Sequence, residues 1–231
     1  VNERLGGPVT VFAGGLRPLP PEGQMTGMFK TRLDAPVLCS REGLVGDKQA
    51  DRRYHGGPDK AVHLYPADHY ARLVAAFPAL AGQVGPGTLG ENLSVAGVDE
   101  TQVCLGDVFA LGDCRLQITQ SRRPCWKIDH RLGVSGASRR VADEGITGWY
   151  FRVLDEGVIA PGDDMMLVER PNPDISLARL WAVETAHRPA VDEVRALSRA
   201  AGLSAGWAKK LAQRADWLER QADGMNGGSN D

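Results

Sequence analysis

From about Val9 to Arg170 the chain reads as short β-prone runs broken by glycine, proline and aspartate. Val9-Thr10-Val11-Phe12, Ala61-Val62-His63-Leu64-Tyr65, Glu91-Asn92-Leu93-Ser94-Val95 and Arg115-Leu116-Gln117-Ile118-Thr119 are the clearest. Many short strands separated by turn signals predict a barrel or sandwich in place of βαβ units. Gly-Asp recurs at Gly106-Asp107, Gly112-Asp113 and Gly162-Asp163, the pair that tight connections favour. Two helical stretches interrupt the strands. Pro66 to Phe77 puts Tyr70, Leu73, Val74 and Phe77 on one face, and Ser135 to Asp143 forms a shorter helix.

The pattern changes after Pro171-Asn172-Pro173, which blocks helix and ladder alike. Three amphipathic stretches follow: Ile175 to His187, Ala190 to Ala201 and Leu203 to Ala222, with Ser176, Asp192 and Ser204 as their N-caps. The expected organisation is a mainly β domain over residues 1–170 and a small three-helix domain over 171–231. The last residues, from Gly224, form a frayed tail.

Composition narrows the function classes. With 231 residues, 42% hydrophobic and 24% charged, the chain can bury a sizeable core. A net charge of −2 exerts no general pull on nucleic acid or anionic lipid, so anion binding must come from a local cluster. No apolar run approaches the ~20 residues of a membrane span, and Val1 to Pro8 lack a signal-like apolar region. A cytoplasmic location is expected, with neither membrane nor nucleic acid as a partner. Four cysteines without Cys-x-x-Cys exclude a disulfide scaffold and a zinc ribbon. Cys39, Cys104 and Cys114 read as buried hydrophobes.

Cys125 stands apart. The segment Ser121-Arg122-Arg123-Pro124-Cys125-Trp126-Lys127 follows a strand, and its cations favour the thiolate that acts as nucleophile or soft metal ligand. Arg122 and Arg123 can fork onto a phosphate, although an arginine pair beside a buried cysteine explains the same residues. In His55-Gly56-Gly57-Pro58-Asp59-Lys60 the glycines allow close approach of an anion and Lys60 adds a point charge; a plain Gly-Gly-Pro turn is the alternative. Gly46-Asp47 and Gly90-Glu91-Asn92 are each either a turn or the polar lip of a pocket. The histidines have no metal-ligand spacing.

His55-Gly56-Gly57-Pro58-Asp59-Lys60-Ala61, Tyr65-Pro66, Gly90-Glu91-Asn92-Leu93, Gly106-Asp107 and Arg122-x-Pro124-Cys125 resemble, in that order, the MOSC domain. With the helical tail around Leu203-Ser204 and Trp207, the chain is similar to the YiiM type of that family over roughly Val9 to Leu218. The resemblance implies a β-barrel-like domain with a few inserted helices, followed by the three-helix domain. It implies a molybdenum cofactor (molybdopterin) ligated by Cys125, with His55, Gly56, Gly57, Lys60, Asn92, Arg122 and Arg123 as its binding residues. The same resemblance admits pyridoxal phosphate as a ligand. The activity implied is reduction of N-hydroxylated compounds such as hydroxylaminopurines to amines. Asp59 or Glu91 would relay protons, and electrons would come from a separate flavin-type reductase, because no flavin or iron–sulfur motif is present. Ser121 and Arg123 stand where the family pattern has proline and a small polar residue, which bears on pocket charge and substrate preference. Two other functions are compatible with the same residues: a carrier of molybdenum cofactor or sulfur, and a metal-free module that binds a phosphorylated ligand.

Overall fold

The computed structural model describes residues 2–50 and 56–226. In chain order its strands are β1 (Glu3–Arg4), β2 (Thr10–Ala13), β3 (Arg17–Leu19), β4 (Gln24–Thr26), β5 (Thr31–Arg32), β6 (Val37–Ser40) and β7 (Gly43–Leu44). They continue with β8 (Val62–Pro66), β9 (Leu93–Val95), β10 (Val108–Leu111), β11 (Cys114–Ser121), β12 (Trp149–Asp155), β13 (Gly157–Ile159) and β14 (Met166–Glu169). Nine form one sheet in the order β1-β14-β10-β11-β12-β8-β9-β2-β5, antiparallel except between β8 and β9. The order has two ends, β1 and β5, so the expected barrel is not closed among the described residues.

The longest strand, β11, shows how sequence becomes sheet. Cys114, Leu116 and Ile118 are buried while Arg115 and Gln117 are half-buried, the period-2 alternation of a strand with one covered face. From Thr119 to Ser121 every residue is buried, because both faces are now covered. Gly112 and Asp113 join β10 to β11 as predicted from Gly-Asp. Gly112 has φ +56° and a Cβ there would lie 2.3 Å from the Val158 carbonyl oxygen, so the turn admits only glycine without rearrangement.

Six α-helices accompany the strands among the described residues: α1 (His69–Ala76), α2 (Lys127–Leu132), α3 (Ala137–Asp143), α4 (Leu177–Thr185), α5 (Val191–Ser198) and α6 (Ala205–Asn226). The first begins later than expected because Pro66 closes β8. Helix α2 was not anticipated; its apolar content is confined to Ile128 and Leu132, too little for a stripe. Ile128, Ala137 and Val141 pack with Tyr65, Tyr70 and Leu73 in a second, smaller core. No helix of the described residues is long and apolar enough to cross a membrane.

The C-terminal helices arise where the periodicity puts them. Ser176 caps α4 by accepting from the Arg179 N–H (3.2 Å), and the Ser204 hydroxyl accepts from the Trp207 N–H (3.4 Å) at the start of α6. Asp192 is not a cap; Ala190 precedes α5 and Asp192 lies in its first turn, where a carboxylate suits the helix dipole. Leu177, Leu180, Val194, Leu197, Leu203, Trp207 and Leu211 belong to the same core cluster as Phe109, Ile118 and Phe151 of the sheet. Trp217, expected among the packing residues, is half-exposed.

Candidate active site

The site is built at the end of β11. Ser121 still pairs with Trp149, and the Arg122 N–H donates to the Gly148 carbonyl (2.9 Å). The chain then leaves the ladder. Pro124 has no N–H to offer a neighbour, and the Cys125 carbonyl accepts from the Ile128 N–H (3.0 Å) in the turn that opens α2. Cys125, unlike the other three cysteines, is only partly buried. Its position is the wall of a cavity with about 620 Å³ of empty space, counting its open mouth.

The cavity is strongly basic. Lys30, Lys48, Lys60, Arg122 and Lys127 line it, against one carboxylate, Asp47, among its described lining residues. Asp47 is already committed. It pairs with Lys30, both side chains being at most 5% exposed, and accepts from the Gly14 N–H (3.0 Å) and Asn92 Nδ2 (3.0 Å). Burial holds the Lys30 pKa below the usual lysine range, opposed by its bond to Asp47. Asn92 in turn fixes β8, since its Oδ1 accepts from the His63 N–H (3.1 Å) and its own N–H donates to the His63 carbonyl (2.8 Å). Among the described lining residues the cations thus outnumber the carboxylates five to one.

Arg122 carries the sharpest signal. It is 4% exposed, its Nη2 donates to the Leu89 carbonyl at 3.5 Å, and its Nη1 has no hydrogen-bond partner. An orphaned buried donor costs about 1–3 kcal/mol, more when charged, and an anion in the cavity would remove that cost. Beside it Tyr150 is buried, and burial raises its phenol pKa against the pull of the Arg122 charge. The Tyr150 and His63 rings lie 5.1 Å apart on the same wall.

Of the residues expected at the site, Lys60, Asn92, Arg122 and Cys125 converge on this cavity. The other described ones lie elsewhere. Asp59 accepts from Arg152 Nε (3.0 Å) and Nη2 (2.7 Å) and is not on the cavity wall. Glu91 is fully buried and braces the 87–92 loop, accepting from Tyr70 Oη (2.6 Å) and from the N–H groups of Gly87 (2.6 Å) and Leu89 (3.1 Å). Burial raises its pKa while those bonds oppose the rise. Gly57 opens the short 3₁₀ turn Pro58–Lys60, with φ +90°, and neither it nor Gly56 lines the cavity. His55 lies outside the described residues. Arg123 turns away, as neighbours in extended chain do, and its guanidinium sits 4.4 Å from the Trp207 ring centroid. Sequence reasoning named none of Lys30, Lys48, His63, Lys127 and Tyr150 as site residues, although His63 and Lys127 stood inside segments already singled out, and it offered Asp47 as either a turn or a pocket lip. Among the described residues no group of three or more His, Cys, Asp or Glu could hold a metal ion, so a metal on Cys125 must bring other ligands with it.

Arg123 also approaches Glu184 (3.9 Å), whose side chain is 1% exposed and whose carboxylate oxygens lack hydrogen-bond partners. Burial pushes the Glu184 pKa up to about 7, opposed by the charges of Arg123, Arg214 and Lys210. A carboxyl group with a raised pKa stabilises the fold while protonated, so its contribution is full below the ordinary glutamate range and is lost as pH rises through about 7. The gap corresponds to about 3 kcal/mol. Glu184→Gln is therefore expected to leave stability at pH 4.5 unchanged and to raise it at pH 8 by up to that amount. Urea unfolding at several pH values checks this; parallel pH profiles for the two proteins would refute it.

Comparison with known proteins agrees with this architecture. A MOSC domain model matches residues 51–166. Protein YiiM of Escherichia coli (strain K12) is 33% identical over 208 residues, covering 90% of this chain and 92% of that protein. A protein named a reductase from Gibberella moniliformis is 37% identical over 163 residues, which are 70% of this chain and 29% of that protein. The crystal structure of YiiM from Escherichia coli superposes with a TM-score of 0.77 at 26% identity, covering 98% of this chain and 96% of that one.

Proposed function

We infer that this chain, which belongs to the MOSC domain family and is of the YiiM type within it, is a molybdenum cofactor-dependent reductase of N-hydroxylated compounds. The carrying observation is the cavity that brings the Cys125 thiol together with four lysines and with Arg122, whose Nη1 has no hydrogen-bond partner. Thiolate is a soft ligand suited to a redox-active transition metal, and the cationic wall suits the phosphate of an organic cofactor. The residues present thus fit the group. Cys125 would ligate the metal, while Arg122, Lys60 and Asn92 would hold the phosphate and pterin. A bound molybdenum cofactor supplies the two-electron redox chemistry.

The chain's own residues supply position and protons. Reduction follows R–NHOH + 2 e⁻ + 2 H⁺ → R–NH₂ + H₂O, so two protons must reach the substrate. With Asp59 and Glu91 away from the cavity, Lys30, paired with Asp47, is one acid on its wall, a buried ammonium whose pKa burial holds below the usual lysine range. Asp47 orients it, and Asn92 ties that carboxylate to β8. Protein loaded with molybdenum should convert 6-hydroxylaminopurine to the amine with reduced methyl viologen as donor. Loaded protein that leaves the substrate unreduced sinks this reading.

The cofactor assignment has its own test. Arg122→Ala and Lys60→Ala are expected to lower cofactor retention ten- to hundredfold, since a charge-assisted contact contributes about 1.5–3 kcal/mol. Molybdenum and phosphorus content after extensive dialysis reads this directly. Equal content in wild type and both variants would remove these residues from the cradle.

A further inference from the structure

On the far side of the Arg122–Cys125 segment is a second recess, lined by Arg123, Glu184, Trp207, Lys210, Leu211 and Arg214. Consecutive arginines thus serve two spaces, Arg122 the cavity and Arg123 the recess. The outward charge here is positive. The Arg123 side chain is 54% exposed, Lys210 is exposed, and both stand over Trp207, at 4.4 and 4.8 Å from its ring centroid. The carboxylate of the recess, Glu184, is buried beneath them and presents almost no surface to a partner. Arg214 is spent on the end of α4, donating to the carbonyls of Val183 (3.0 Å) and Glu184 (2.8 Å). Burial, and then the charge of Lys210, hold the pKa of Lys60 on the cavity wall below the usual lysine range, with Asp59 opposing.

We propose that this recess docks an acidic flavoprotein electron donor, whose surface carboxylates engage Arg123 and Lys210 above Trp207. The inference rests on the reductase reading, in which the two electrons of R–NHOH reduction come from a reduced flavin on another protein. Each turnover then oxidises one two-electron-reduced flavin, R–NHOH + FlH₂ → R–NH₂ + H₂O + Fl. Charge complementarity names the partner's sign: the chain as a whole is at −2, yet this face gathers exposed cations next to the loop that carries Cys125. Trp207 itself is buried at 8% exposure, so a partner would meet the two cations that cover it.

The experiment compares Lys210→Glu with Arg139→Glu, the same charge change at an 85% exposed arginine of α3. The probe is a purified acidic flavodoxin, measured for binding to the holoenzyme and, once reduced, as electron donor. At low salt Lys210→Glu should weaken binding and raise the KM for flavodoxin roughly tenfold, Lys210→Ala should fall between, and Arg139→Glu should match wild type. At about 0.5 M salt the differences should shrink, as screened contacts do. Turnover with reduced methyl viologen should be the same in every variant. Equal effects of the two reversals overturn the proposal. So does binding of a single-stranded oligonucleotide at this recess in preference to flavodoxin. Absence of hydroxylamine turnover with methyl viologen in wild type would instead overturn the reductase reading, and the binding comparison would still decide the docking surface.

Discussion

Serine at position 125 is expected to give a folded protein that holds no molybdenum and reduces no hydroxylamine. The hydroxyl is close to the thiol in size, but it is a harder and far less acidic ligand for a redox-active metal. Little else should change. Cys125 is partly exposed, on a loop held by backbone contacts, with its carbonyl accepting from Ile128 and the preceding strand anchored at Gly148. A substitution at such a position typically shifts stability within about 0.5 kcal/mol. Cys39, Cys104 and Cys114 behave oppositely, being buried at 0, 4 and 1% exposure away from the cavity. Replacing any of them should alter stability through packing and leave metal content intact. Molybdenum per chain, thermal midpoint and turnover with reduced methyl viologen, measured on all four variants, separate the two classes. Wild-type turnover in the serine variant would take Cys125 out of the mechanism.

The outcome for individual residues shows what a sequence can and cannot convey here. Alternation along Cys114 to Ile118 and the Gly-Asp turn are local patterns, and the structure follows them. Arg122, Cys125 and Lys60 were legible because each sits in a short run of unusual composition. Lys30 was not, because nothing is unusual where it stands; Asp47 stood out only as a turn or a polar lip, and the two become a buried pair only when strands β2, β8 and β9 bring distant loops together. Arg123 and Glu91 failed for a different reason. Polarity suggested solvent or ligand, whereas the fold uses Glu91 to satisfy two backbone N–H groups and a phenol, and turns Arg123 onto a tryptophan of the tail. A carboxylate with three donors is a structural element, whatever its neighbours in sequence imply.

Truncation after Arg170 is expected to abolish stable folding of the remaining fragment. We propose the boundary at residue 171 as a division of pattern, because the two sides share one core. Leu177, Leu180, Val194, Leu197, Leu203 and Trp207 are each at most 8% exposed and lie in the cluster that includes Phe109, Ile118 and Phe151. Each such side chain contributes about 1.5–3 kcal/mol on burial, against a typical total stability of about 5–15 kcal/mol. Backbone bonds cross the boundary as well. Leu105 N–H donates to the Ile175 carbonyl (2.9 Å), Leu177 N–H to Val103 (3.0 Å), Ala178 N–H to Glu100 (2.8 Å) and Ser204 N–H to Thr119 (3.1 Å). Contact is close enough at Gly106 that a Cβ would lie 2.5 Å from the Ala201 carbonyl oxygen, and at Gly202 2.5 Å from the Gly106 Cα. The fragment 1–170 would expose this apolar face and uncover Gln120 of β11, whose buried Oε1 accepts from the Ser204 hydroxyl (2.8 Å), shortly before the Cys125 loop. Expression with and without residues 171–231, followed by size-exclusion chromatography and near-ultraviolet circular dichroism, should find the fragment aggregated or lacking fixed packing. A monomeric fragment with a cooperative melt and bound molybdenum would show instead that residues 1–170 fold alone and that the tail is an appended module.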